Sequence, residues 1–138
     1  MQYEIETQEV CVSICHQLHL PYASPCSECH GHNYSVFATI RSDTLDQNGM
    51  IVDFSVVKAV IKKYDHSFLG KGLRNKESEQ LWLPDKRHPH VEPSTAENFA
   101  RILFEEIQQV VTAHNPAAIV KSIRVFETPS NRVTVSND

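Results

Sequence analysis

The chain lacks the features that direct a protein to nucleic acid, to a membrane or to export. Its 13 lysines and arginines are outnumbered by 17 acidic residues, and they form no basic stripe of the kind that follows a phosphate backbone. No segment approaches the roughly 18 apolar residues that span a bilayer, and the initial MQYEIETQEVCVSICH has no basic region followed by an apolar run. We therefore expect a cytoplasmic protein with no nucleic-acid or membrane partner.

Internal repeats and low-complexity tracts are also missing. The 138 residues suit one compact domain, residues 1 to 138, whose core is large enough to need no disulfide bonds. In the cytoplasm we expect the four cysteines to stay reduced. Their even number then favours thiol chemistry or metal binding over a disulfide framework, and eight histidines supply further metal ligands.

The stretch CSECHGHNY, residues 26 to 34, is compatible with several chemistries. Cys26-x-x-Cys29-His30 is the pattern of c-type haem attachment, and its two cysteines alone suit a redox dithiol or half of a structural zinc site. The missing export signal argues against haem, and no second C-x-x-C or H-x3-5-H follows to close a structural zinc site. His30-Gly31-His32 offers an alternative, because histidines two positions apart share one face of a strand and can hold one metal ion.

Two strand-like segments place three histidines at the ends of apolar faces. Residues 10 to 16 alternate with period two and end at His16, while residues 30 to 40 begin with His30 and His32. The connection QLHLPYASPCSEC has two prolines and predicts a loop that folds back, bringing the histidines together. Three imidazoles with an open fourth position are typical of a catalytic zinc ion. From these residues alone, ordinary packed histidines are an equally good explanation.

Two helices are predicted in the middle of the chain. DFSVVKAVIKKY has helical spacing of its apolar residues, with Asp53 as the N-cap, and runs directly into Asp65-His66. Residues 70 to 92 show no sustained period, so we expect an irregular connection anchored by Trp82. A second helix is predicted to begin at the capping box Ser94-x-x-Glu97 and to end near HNP at residues 114 to 116.

The last part of the chain predicts an antiparallel hairpin. AIVKSIRVFET and NRVTVS are strand-like runs separated by the turn signal Pro129-Ser130-Asn131. The element order is therefore β-β-α-α-β-β. This order predicts an α+β fold in which an antiparallel four-stranded sheet carries both helices on one face.

Two further groups are candidates for chemistry. In Asp65-His66 a carboxylate stands beside an imidazole, although this dipeptide alone is more typical of a helix C-terminus with a favourably placed histidine. Glu127 ends the apolar face of Ile119, Ile123 and Val125, where a carboxylate needs a partner or solvent. A glutamate at a strand end is often simply solvated.

Taken in series, these motifs resemble a known family. VSICH, CSECHGHNY, VDFSVVKAVIKKYDHSFL, STAENFA and VFETPSN have the order and approximate spacing found in the 6-pyruvoyl-tetrahydropterin synthase and 6-carboxytetrahydropterin synthase family, from about residue 3 to residue 136. The resemblance implies the β-β-α-α-β-β tunnelling fold, a Zn²⁺ cofactor and a pterin substrate. It also implies homo-oligomers, trimers whose sheets close a barrel and often stack into hexamers, with active sites between subunits.

The resemblance also assigns roles to individual residues. It makes His16, His30 and His32 the zinc ligands, with His19 as the rival of the first because HQLHLP holds two histidines where the family motif has one. It makes Cys26 the catalytic general base and leaves Cys29 without a role. The remaining assignments are Asp65 and His66 as a proton-transfer pair, and Glu127 with Thr128 as the pterin anchor.

The implied reaction begins with 7,8-dihydroneopterin triphosphate. We favour its conversion to 6-carboxy-5,6,7,8-tetrahydropterin with release of acetaldehyde and triphosphate, a step toward queuosine. The alternatives are the pyruvoyl reaction, in which triphosphate leaves and the side chain is retained, and a homologue that binds zinc and pterin without catalysis. Lys71, Arg74 and Lys86 are candidate cations for the triphosphate, because the loop QLHLPYASPCSEC contains neither lysine nor arginine.

Overall fold

The alternating and helical patterns of the sequence fold into a seven-stranded sheet covered by two helices. The structure is a computed structural model that describes residues 1–7 and 9–137. Its elements are β1 (Tyr3–Glu6), β2 (Val10–His16), a 3-10 turn (Pro25–Ser27), β3 (His30–Ser42), α1 (Phe54–Lys62), β4 (Ser67–Leu69), β5 (Leu73–Arg74), β6 (Leu81–Trp82), β7 (Arg87–His88), α2 (Ala96–His114), β8 (Ile119–Thr128) and β9 (Asn131–Ser136).

The strand order of the main sheet is β7-β4-β2-β3-β8-β9. β3 is long enough to pair with two strands along the same side: β2 pairs with its first half and β1 with its second half. The pairs β2–β3, β3–β8 and β8–β9 are antiparallel, as predicted, but β4 runs parallel to β2 and β7 runs parallel to β4. The prediction of a purely antiparallel four-stranded sheet was therefore wrong. β4 and β7 are three and two residues long, too short for a periodic signal, and they depend on tertiary pairing.

The core lies between the two helices and one face of the sheet. Asp53 caps α1 as predicted, since its carboxylate accepts a hydrogen bond from the backbone N–H of Ser55 at 2.8 Å. Val57 of α1 and Phe99 of α2 belong to one buried cluster with Val36 of β3. Within the described residues, no helix is both long enough and apolar enough to cross a membrane.

The start of α2 differs from the prediction. Thr95 is the N-cap, and its hydroxyl accepts from the backbone N–H of Asn98 at 3.1 Å. Ser94 is buried instead of capping, and its carbonyl faces the end of β2. The two neighbouring hydroxyl residues are equivalent as caps by propensity, so the choice depends on this tertiary contact.

Two apolar residues also lie elsewhere than expected. Trp82 is 63% exposed and does not anchor its connection in the core. Ile119 is exposed, and Val120 is the buried residue at the start of β8, because the β3–β8 register shifts between Thr39 and Ile40. A bulge of this kind reverses the inward and outward alternation on one side of it.

Candidate metal and catalytic site

Three histidines converge at one end of the β2–β3 pair. The register places His16 directly opposite His30, and His32 follows on the same face of β3. The ring centroids of His16 and His30 are 4.4 Å apart, those of His30 and His32 are 4.8 Å apart, and those of His16 and His32 are 5.4 Å apart. The predicted loop does fold back and bring the three imidazoles together.

Backbone carbonyl groups orient two of these rings. Nδ1 of His16 lies 2.6 Å from the carbonyl oxygen of Ser94, and Nδ1 of His30 lies 2.7 Å from that of Glu28. A carbonyl oxygen only accepts hydrogen bonds, so each Nδ1 carries the hydrogen and each Nε2 keeps its lone pair. This arrangement is the usual one for metal-binding histidines, whose second nitrogen is held by a carbonyl or carboxylate.

Burial lowers the pKa of two of the three histidines. His16 is 1% exposed, and loss of solvation lowers its pKa to about 4, with the imidazoles of His30 and His32 adding to the effect. Burial also lowers the pKa of His32, against an opposing contribution from Glu127. Among the described residues, Nε2 of His16 and Nε2 of His32 have no hydrogen-bond partner. Buried polar atoms normally have a partner, and an ion or an ordered water supplies it where the protein does not.

The fourth member of the cluster is Glu127. Its Oε1 lies 3.0 Å from Nε2 of His32, and the donor atoms of the three histidines and Glu127 all lie within 4.8 Å of one another. The β8–β9 register shifts between Phe126 and Thr128, so Glu127 stands at a bulge that directs its side chain. Sequence reasoning assigned Glu127 to the pterin and missed its contact with the histidines.

This donor set fits a zinc ion. Neutral imidazole nitrogen and carboxylate oxygen are ordinary zinc ligands, and the group His16, His30, His32 and Glu127 could hold a metal ion. His19, the rival for the first position, is exposed in the loop that follows β2 and does not belong to the group found among the described residues.

Cys26 lies in the loop that returns to β3. Ser24 caps the 3-10 turn, because its hydroxyl accepts from the backbone N–H of Cys26 at 3.1 Å. The backbone N–H of Leu18 donates to the carbonyl of Cys26 at 3.0 Å, which extends the hairpin beyond the His16–His30 pair. Cys26 is half-buried at the same end of the sheet as the histidines, whereas Cys29 is exposed. Both are free thiols.

Asp65 and His66 lie beside β2, in the connection between α1 and β4. Oδ1 of Asp65 accepts from the backbone N–H of Ser13 at 2.7 Å and lies 3.2 Å from Nδ1 of His66. The Ser13 N–H is the main reason that the pKa of Asp65 is lowered, and His66 and Lys62 contribute further. His66 has φ of 56°, a left-handed conformation that turns the chain from α1 into β4. Its side chain is 80% exposed.

A groove of about 600 Å³ runs beside this pair and reaches one histidine of the metal cluster. Its lining includes His66, His32, Trp82 and Lys86. Lys86 also donates to the carbonyl of Asp65, so of the three predicted cations it is the one in this groove. Cys26 is absent from the described residues that line the groove.

Comparison with known proteins gives a family match over nearly the whole chain. The family model described as 6-pyruvoyl tetrahydropterin synthase matches residues 6–138. The chain is similar to 6-carboxy-5,6,7,8-tetrahydropterin synthase of Bacillus subtilis, at 30% identity over 87% of this chain and 76% of the relative. It is also similar to 6-pyruvoyl tetrahydrobiopterin synthase of Drosophila melanogaster, at 26% identity over 93% of this chain and 76% of the relative.

A solved structure shows the same fold. The 6-pyruvoyl tetrahydropterin synthase of Caenorhabditis elegans matches with a TM-score of 0.67 at 24% identity, over 100% of this chain and 97% of that chain. Together with the family match over nearly the whole length, this agreement establishes the resemblance seen in the sequence. The chain belongs to the 6-pyruvoyl tetrahydropterin synthase family, whose named members are pterin synthases.

Proposed function

We propose that this protein is a zinc-dependent lyase. It converts 7,8-dihydroneopterin triphosphate to 6-carboxy-5,6,7,8-tetrahydropterin with release of acetaldehyde and triphosphate, on the route to queuosine. The observation that carries the proposal is the cluster of His16, His30 and His32, in which two rings are oriented by backbone carbonyls and two buried Nε2 atoms lack partners among the described residues.

The choice of product is supported by the names of the relatives. The Bacillus subtilis protein, at 30% identity, is a 6-carboxytetrahydropterin synthase. The pyruvoyl reaction is the second candidate, because the Drosophila melanogaster protein at 26% identity carries that name. Both reactions start from the same substrate and use the same chemical groups, so the residue roles below hold for either.

The three histidines hold the metal through their Nε2 atoms. Zinc bound there supplies Lewis acidity toward the side-chain hydroxyls of the substrate. The carbonyls of Ser94 and Glu28 fix the rings of His16 and His30, so little reorganisation is needed when the metal binds. A site at the end of two strands also holds its donors more rigidly than a loop does.

Cys26 acts as the general base and removes a carbon-bound proton from the substrate side chain. The capped 3-10 turn positions it near the metal end of the β2–β3 hairpin. Asp65 orients His66 through Nδ1, and His66 moves protons during the departure of triphosphate. Lys86, beside His66 in the groove, supplies positive charge for the phosphate groups.

Glu127 and Thr128 anchor the pterin ring. A carboxylate accepts two parallel hydrogen bonds from the 2-amino and N3 positions of a pterin, which fixes a flat heterocycle in one orientation. Thr128 lies at the adjoining turn, where its hydroxyl accepts a long contact of 3.4 Å from the backbone N–H of Ser130.

The protein acts in the cytoplasm as a homo-oligomer, a trimer or a hexamer with active sites between subunits. The support is physical: β9 leaves one edge of the sheet without a neighbour among the described residues, and open edges favour pairing with another chain. Active sites between subunits also allow Cys26 of one subunit to act together with the Asp65-His66 pair of another. Light scattering after size exclusion measures the assembly, and a monomer contradicts it.

Product analysis tests the proposed reaction. Purified protein loaded with zinc is incubated with 7,8-dihydroneopterin triphosphate, and the products are separated and identified by mass. We expect 6-carboxytetrahydropterin together with acetaldehyde. Retention of the three side-chain carbons on the pterin overturns the carboxy assignment in favour of the pyruvoyl reaction. Unchanged substrate overturns both and leaves a binding protein.

A further inference from the structure

We propose that Glu127 has two partners in turn: it is the fourth ligand of the resting metal, and it leaves the metal when it binds the pterin. This inference rests on the proposed function and adds to it a ligand exchange that depends on pterin binding. The metal site is closed by a carboxylate until the ring of the substrate arrives. Recognition of the heterocycle then opens the coordination position that the substrate hydroxyls occupy.

The first support is the distance between the donors. Four ligands at 2.0 to 2.1 Å from a tetrahedral zinc ion are about 3.3 Å apart. Oε1 of Glu127 is 3.0 Å from Nε2 of His32, and all four donor atoms lie within 4.8 Å of one another. The carboxylate therefore lies near the position of a fourth metal ligand, and small side-chain movements bring all four donor atoms to zinc-binding distance.

The second support is the poor alignment of this contact as a hydrogen bond. Despite the 3.0 Å separation, Nε2 of His32 has no hydrogen-bond partner among the described residues. The two atoms therefore do not share a hydrogen along the line between them. Nε2 of His16 likewise lacks a partner, which is the expected arrangement when several lone pairs are directed at a common point.

The third support is the electrostatic surroundings of Glu127. In the part of the chain that the structure describes, His32 is the only ion-pair partner of the carboxylate within 4.0 Å. Three neutral imidazoles leave the +2 charge of a zinc ion uncompensated. One carboxylate ligand lowers the net charge of the site to +1. No lysine or arginine competes for Glu127 within this distance among the same residues.

The fourth support is the freedom of Glu127 to move. It lies at the bulge between Phe126 and Thr128, beside the turn at Pro129. Its side chain is 30% exposed, compared with 17% for His32. A glutamate at a partly exposed strand end can rotate between two partners, whereas carbonyl groups hold the rings of His16 and His30 in place.

Cobalt substitution makes the ligand exchange visible. Protein with Co²⁺ in place of zinc is titrated with pterin, the bare bicyclic ring, which has no side-chain hydroxyls to offer the metal. We expect the visible absorption of the cobalt to change as the ring binds, because Glu127 leaves the metal. In Glu127→Ala the resting spectrum is already altered, and pterin does not change it further.

Zinc affinity gives an independent readout. Competition with a chelator should show that Glu127→Ala binds zinc about ten- to a hundredfold more weakly than the wild type. Glu127→Gln retains the size of the side chain and should show the same direction of change if the alanine variant fails to fold. Glu105→Ala is the matched control: it removes an exposed carboxylate on α2 that pairs with Arg101, and it should leave zinc affinity and the cobalt spectrum unchanged.

The outcomes separate this inference from the proposed function. Wild-type zinc affinity in both Glu127 variants, with an unaltered cobalt spectrum, overturns the fourth-ligand role even if the wild type turns over its substrate. A spectrum that changes on mutation but does not respond to pterin in the wild type overturns the exchange. Failure of the proposed function is a different result, namely a wild-type protein that binds no zinc or converts no substrate.

Discussion

The imidazole Nδ1 of His16 donates to the carbonyl oxygen of Ser94 across 2.6 Å, and so joins the end of β2 to the residue before the N-cap of α2. The two residues are 78 positions apart in the chain. One hydrogen bond thus couples the packing of α2 on the sheet to the orientation of a metal-binding ring. The lone pair on Nε2 faces the cluster only because this contact fixes the hydrogen on Nδ1.

Loss of one cluster histidine should abolish stoichiometric metal binding. We expect His32→Ala to retain less than a tenth of the zinc of the wild type after dialysis, measured by inductively coupled plasma mass spectrometry. His19→Ala is the matched control, because His19 is exposed and lies in the adjoining loop, and it should retain all of its zinc. The opposite pattern, with zinc lost from His19→Ala and kept by His32→Ala, contradicts the assignment of the ligands.

Cys26 and Cys29, which both lie in the connection between β2 and β3, should behave differently when replaced. Cys26→Ser should keep its zinc and lose about a hundredfold or more in turnover, the typical contribution of a general base. Cys29→Ser should change turnover by less than about threefold, because Cys29 is exposed and has no proposed role. Turnover of dihydroneopterin triphosphate by each variant is the measurement, and an unaffected Cys26→Ser refutes the role of Cys26.

Acid should destabilise the metal-free protein through His16. Its pKa is lowered from 6.5 to about 4 in the folded state. Below pH 6.5 the unfolded chain therefore takes up a proton that the folded protein does not, and stability falls until pH 4, where the difference levels off. The loss from this group is about 3 kcal/mol at full extent.

Urea unfolding of the metal-free protein at pH 7 and pH 5 measures this effect. His16→Gln lacks the titrating group, so the free energy of unfolding of the variant should depend less on pH than that of the wild type. The acidic and basic groups outside the cluster are common to both proteins and cancel in the comparison. Equal pH dependence in the two proteins shows that His16 is not held neutral by burial.

Two buried tyrosines should respond oppositely to loss of their hydroxyls. The hydroxyl of Tyr34 has no hydrogen-bond partner among the described residues, so Tyr34→Phe should be neutral or stabilising by up to about 1 kcal/mol. The hydroxyl of Tyr64 donates to Glu106 and contacts His90 at 2.9 Å. Tyr64→Phe should therefore cost about 1 to 3 kcal/mol, since it removes a hydrogen bond to a charged carboxylate. Chemical unfolding of both variants compares them, and a destabilised Tyr34→Phe shows that this hydroxyl has a partner.

The parts of the site that depend on local pattern were predictable from the sequence. Period-two alternation in β2 and β3 placed His16, His30 and His32 on apolar faces, and the loop between the strands implied that the faces meet. The structure has this register, with His16 opposite His30. The cap at Asp53 and the turn before Asn131 were equally local and were also predicted.

The remaining features depend on long-range contacts. The approach of Glu127 to His32 requires the β3–β8 register and the bulge beside Phe126, neither of which has a local signature. A carboxylate that ends an apolar strand face, as Glu127 does, was the one available signal. The contact between His16 and the Ser94 carbonyl had no signal in the sequence, because every residue has a backbone carbonyl whatever its type.

The most direct test of the account is a zinc titration of activity. Metal-free protein receives increasing zinc, and turnover of 7,8-dihydroneopterin triphosphate is followed by mass spectrometry alongside His32→Ala. We predict that turnover rises in proportion to zinc, reaches a plateau at one ion per chain, and stays near zero in the variant. Full turnover by the metal-free protein, or equal turnover by the variant, contradicts the account.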